Sequence, residues 1–179
     1  MTGSISARRW PWQLALGPLA LALGLFLLKL SDILLYVGPL DRAAFGWSVP
    51  IPLILAAPGL MGVAARWSGV GTARRVAVLT GTSFGVALGI AWFLSVSQVG
   101  CDPHPGLATR LFASLPIPLV LGVGWALAGW IAAAYADRPV VAFAAGAGIA
   151  IAAGVVMLVA WALFFPGVTC RPGGLVPVG

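Results

Sequence analysis

Charge is scarce in this chain. Charged side chains make up 8 % of its 179 residues, against about a quarter in an ordinary soluble domain. So few charges cannot cover a surface that faces water, which argues against a soluble globular fold. Cysteine is as rare: Cys101 and Cys170 are the only two, and they form no C-x-x-C pair, which weakens any reading as an envelope thiol oxidoreductase. The single histidine, His104, sits between Pro103 and Pro105. With only Asp102 and Cys101 nearby, it falls short of the three or four ligands that a zinc site needs. No G-x-S-x-G, H-E-x-x-H, P-loop or dinucleotide fingerprint occurs. The expectation is a protein that is not an enzyme and carries no metal or cofactor.

The charge that is present is mostly positive, with a net +6 and a pI near 10.8. Nucleic acid is not the partner this implies, because no basic patch is interleaved with aromatics; the arginines stand singly or in pairs between apolar runs. Hydrophobic residues reach 61 % and the mean hydropathy is +1.06. The solvent for most of this surface is lipid.

Crossing a hydrocarbon core of about 30 Å takes roughly 20 apolar residues. Five runs qualify: Leu14–Val37, Val49–Ala65, Val76–Val99, Leu111–Tyr135 and Val140–Phe165. The fold class expected is therefore all-α, a polytopic membrane bundle of five transmembrane helices in a single integral membrane domain over residues 1–179. The first run follows Arg8-Arg9 as a signal peptide would, yet it continues past Leu30 with no small-residue cleavage pattern, so it reads as a retained span. The second holds Pro50 and Pro52, tolerable in a first turn, and Pro58, which should disturb the helix. Residues 172–179, rich in proline and glycine, read as a flexible tail.

Arginine placement sets the direction. Arg8, Arg9, Arg66, Arg74, Arg75 and Arg138 mark one set of ends, and Arg42, Arg110 and Arg171 the other. The positive-inside rule puts the larger set in the cytoplasm, with the N-terminus inside and the C-terminus outside. The cell inner (cytoplasmic) membrane is the expected location, as a multi-pass protein.

The spans echo one another. Ser48-Val49-Pro50-Ile51-Pro52-Leu53-Ile54-Leu55 returns as Ser114-Leu115-Pro116-Ile117-Pro118-Leu119-Val120-Leu121, and Leu21-Ala22-Leu23-Gly24 returns as Val86-Ala87-Leu88-Gly89. Ala91-Trp92-Phe93-Leu94 before Cys101 matches Ala160-Trp161-Ala162-Leu163 before Cys170. This predicts a parallel two-helix repeat, two copies and half of a third. Both cysteines then fall just beyond equivalent helix ends on the outer face, where an oxidising compartment favours a disulfide between them.

Two further features bear on function. Gly81, Gly85 and Gly89 share one helix face, fit either for packing inside the bundle or for contact with another subunit. Lys29 and Asp32 are the only charges well within a span, and burial in hydrocarbon costs about 2.5–3.5 kcal/mol for such a group. Lys29 snorkelling to the headgroups is the bland account; against it, Cα–Cβ bonds tilt toward the helix N-terminus and aim Lys29 deeper. The pair is expected to face protein or a wet cavity. Asp41, after Gly38-Pro39, reads as a helix cap in the first outer loop.

Small loops, glycine-smoothed faces and no reactive constellation point first to a non-catalytic membrane subunit. Its partners would be the bilayer and another membrane protein or a second copy of itself. A small solute or ion transporter using Lys29 and Asp32, with the proline-broken spans lining a path, is the alternative. An envelope thiol oxidoreductase is third.

Overall fold

The computed structural model describes residues 12–35, 48–95, 106–164, 169–171 and 174–176. A 3-10 turn, Trp12–Ala15, leads into α1 (Leu16–Leu35); α2 covers Pro50–Ser68 and α3 covers Val70–Ser95. The fourth apolar stretch is composite: α4 (Leu107–Ser114), a π-helical turn (Pro118–Gly122) and α5 (Val123–Ala134). The last helix, α6, spans Pro139–Phe164. Five of these segments are long and apolar enough to cross a membrane, in the order and close to the bounds that hydropathy indicates.

Two boundaries differ from the sequence reading. Helix α3 starts at Val70, six residues before the expected Val76, so Arg74 and Arg75 are helical and not part of a loop. The cause is Gly69, whose φ of +84° is open to glycine and strained for other residues. Its N–H closes α2 on Ala65 O at 2.9 Å, and its own carbonyl opens α3 by accepting from Ala73 N at 3.1 Å. One residue makes the turn. The fourth segment likewise starts at Leu107, ahead of Leu111, and is broken where Pro116 and Pro118 lack backbone donors. The π turn that follows is the usual accommodation of such a break.

Helix α2, which opens with Pro50-x-Pro52, and α5, which follows Pro116-x-Pro118, lie side by side at the centre. Helix α3 packs on α5 and α2, α6 packs on α2 and α5 from elsewhere on their surface, and α1 packs on α2. Most core positions are alanine: Ala57, Ala64, Ala77, Ala128, Ala132 and Ala150 are fully buried, with Met61, Phe84 and Trp125 among the few large side chains beside them. Large apolar side chains such as Leu19, Phe26, Leu79, Phe112, Leu158 and Leu163 point outward. This inverts the size order of a water-soluble core. It suits a lipid solvent, where association rests on close backbone approach because lipid tails are as apolar as leucine.

Beyond α6 the backbone forms a two-stranded antiparallel ribbon, β1 (Thr169–Arg171) with β2 (Gly174–Val176), pairing Cys170 with Leu175. Part of the expected tail, Gly174–Val176, thus has regular structure.

Candidate functional site

Among the described residues no cleft with converging reactive groups presents itself, so the site question becomes one of how helices meet and which surfaces are left over. Gly81, Gly85 and Gly89 have a clear role. A methyl on Gly81 would fall on the backbone of Ala126, and one on Gly85 on the backbone of Gly122. One on Gly89 would lie 3.0 Å from Pro118 Cδ. The stripe is used within the chain, sealing α3 against the fourth segment, and does not face outward toward another subunit. A second glycine contact went unforeseen: a methyl on Gly146 of α6 would lie 2.6 Å from Gly59 N of α2. Nothing in the sequence couples those two positions.

Beside that contact lies the most informative polar interaction in the bundle. Pro58 has no N–H, so the carbonyl of Ile54 loses its helical donor. Trp125 of α5 donates its indole Nε1–H to that carbonyl at 3.3 Å. The indole is 3 % exposed and packs on Phe84 of α3 with ring centroids 5.2 Å apart and planes tilted by 49°. Three helices are thereby joined at one side chain. A carbonyl buried in a bundle needs such a partner, because neither water nor lipid supplies one there.

The arginines taken as topology markers also clamp helices. Arg74 donates to Trp130 O, near the end of α5, and its guanidinium lies 4.8 Å from the Trp130 ring centroid. Arg110 donates to Phe93 O, near the end of α3, and lies 4.8 Å from the Phe93 ring. In each case one residue supplies both a carbonyl and an aromatic face. Each arginine begins its own helix, the unfavourable end for a cation, but reaches the C-terminal carbonyls of an antiparallel neighbour, the favourable end. The hairpin of α3 with the fourth segment is pinned at both ends.

Lys29 is exposed, one helical turn beyond Leu25 on the face of α1 that also carries Pro18 and Ala22. Helix α1 turns Gly17, Ala20, Leu21 and Gly24 toward its one strongly packed neighbour, α2, and Lys29 lies off that contact face. Asp32 lies within α1, its side chain outside the described residues, as is Asp41. Cys101, Asp102 and His104 also fall outside the described residues; Cys170 is placed by its backbone in β1. Trp92 and Trp161, nine positions before the two cysteines, meet edge to face with ring centroids 4.8 Å apart at 84°. The ends of α3 and α6 therefore come together. Among the described residues, no three His, Cys, Asp or Glu side chains cluster.

Comparison with known proteins adds no constraint: no protein-family model, curated protein or solved structure matches this chain.

Proposed function

We propose that this chain is a multi-pass protein of a cell inner membrane, N-terminus cytoplasmic and C-terminus outside, and that it is a non-catalytic subunit binding a partner membrane protein. One observation carries the docking part. Lys29 is an exposed charge on α1, the one charged side chain among the described side chains of that helix, and a partner helix can pack there with a carboxylate or carbonyls facing it. Helix α6 adds a second free face, being the most apolar of the five spans and the least buried, with open space beside Gly148 and Gly154. The perimeter position of Lys29 also sets it apart from the α2–α5 centre, which favours docking over a conducting path.

The reading takes the bundle as two hairpins and half of a third. Its support is register. Gly24 meets Pro50 and Ile54, one turn centred on Pro52. The sequence echo equates Gly24 with Gly89 and Pro52 with Pro118, and Gly89 meets Pro118. Toward the other end, Gly17 meets Ala57 and Met61, while Gly81 meets Ala126, again within one residue of the echo.

The test is purification from native membranes in mild detergent. A stoichiometric protein partner that is lost with Lys29→Met is the expected result. A chain that purifies alone, or a partner retained in full by the Met variant, overturns the docking role.

A further inference from the structure

Helices α1 and α3 make little contact, and between them runs a groove of about 370 Å³ lined by Pro18, Leu21 and Ala22 on one side and Leu79, Ser83 and Phe84 on the other, with Leu25 and Thr80. Arg75 stands one helical turn before Leu79 on the same side of α3 and is exposed. Its neighbour Arg74 is turned the other way, onto Trp130. A cation at the cytoplasmic end of an apolar groove is the pattern of an amphiphile site.

We propose that the groove holds an acyl chain of one inner-leaflet phospholipid, with its phosphate on Arg75. The inference rests on the membrane reading above. Depths agree with it. Thr80 lies about 7.5 Å along the helix from Arg75, and each headgroup region is about 5–7 Å thick. The Thr80 hydroxyl is thus level with the ester carbonyls, to which it donates, while Leu25, Ser83 and Phe84 lie deeper beside the hydrocarbon. The lining residues extend for only about 10 Å along α1, about a third of the length over which a spanning helix would pack. Arginine suits the other end, where its planar fork pairs with two phosphate oxygens at once.

Native mass spectrometry of the detergent-purified chain, titrated with phosphatidylglycerol, tests this. The wild type is expected to bind one lipid tightly. Arg75→Gln removes the phosphate contact, and Ala22→Phe fills the groove from an exposed position; each is expected to weaken binding at least tenfold. Leu79→Phe serves the same purpose if Ala22→Phe does not assemble. Arg138→Gln, which alters the charge of the same membrane face, is expected to bind as the wild type does. Equal binding by all variants overturns the site, as does equal loss with Arg75→Gln and Arg138→Gln, which would mean charge attraction alone. A cysteine at Ala22 that cross-links to a second protein in membranes overturns it in favour of a helix. Carbonate washing separates the premises: a chain released from membranes refutes the membrane reading, whereas one retained there without selective lipid loss refutes only the lipid site.

Discussion

Replacing Trp125 with Phe probes how a proline break is made tolerable inside the bundle. The substitution keeps an aromatic ring beside Phe84 but removes the donor to Ile54 O, which Pro58 cannot replace. An orphaned buried acceptor costs about 1–3 kcal/mol. Interhelical hydrogen bonds in membrane proteins average nearer 0.6 kcal/mol, because the unfolded chain in the bilayer also finds partners. Ile54 O should exceed that average, since its own helix offers it no partner in either state. The smaller ring adds a packing loss of about 1 kcal/mol, well below the roughly 3–5 kcal/mol of a full truncation to Ala. The expected total is about 2–3 kcal/mol. A double-mutant cycle isolates the hydrogen bond. Pro58→Ala restores a backbone N–H for Ile54 O, so Trp125→Phe should cost about 1 kcal/mol less in that background. Reversible unfolding in mixed micelles, followed by far-UV circular dichroism, reads both values. Equal costs in the two backgrounds would refute the reasoning, because the indole N–H would then contribute nothing that the helix itself can supply.

Gly85→Leu should prevent α3 from seating on Gly122 and cost more than about 3 kcal/mol or abolish assembly, whereas Gly154→Leu, placed in open space, should leave the isolated chain's elution on size exclusion unchanged. A disulfide is expected between Cys101 and Cys170, given the contact of Trp92 with Trp161 nine residues before each; intact mass after alkylation without reductant should show no added groups, and two added groups would rule the bridge out. A cysteine at Gly71 should react with impermeant thiol reagents only from the cytoplasmic side and one at Gly106 only from outside, and the reverse pattern would refute the orientation.

Much of the architecture was legible in one dimension because five apolar runs are each long enough to form a helix that could cross a membrane. Backbone groups in hydrocarbon must bond within their own segment, so span number and approximate bounds follow from run length alone. Gly69 and Pro116-x-Pro118 moved two of those bounds, since helix ends depend on local backbone geometry to which hydropathy is blind. The residue type at position 58 is by itself enough to orphan the carbonyl of Ile54, because a proline in a helix has no N–H to give the residue four places earlier.

What only the tertiary structure decided is which surfaces answer one another. The GxxxG face of Gly81, Gly85 and Gly89 has the same appearance whether it meets its own fourth segment or another chain, because glycine offers close approach without naming a partner. That Trp125 fills the gap left by Pro58, that Gly146 meets Gly59, and that Arg74 and Arg110 clamp neighbouring helices all depend on the rotation of each helix about its axis. The exposed place of Lys29 does too. Hydropathy reports the length of an apolar segment but not its rotation; rotation is decided by side-chain shape, one helix against the next.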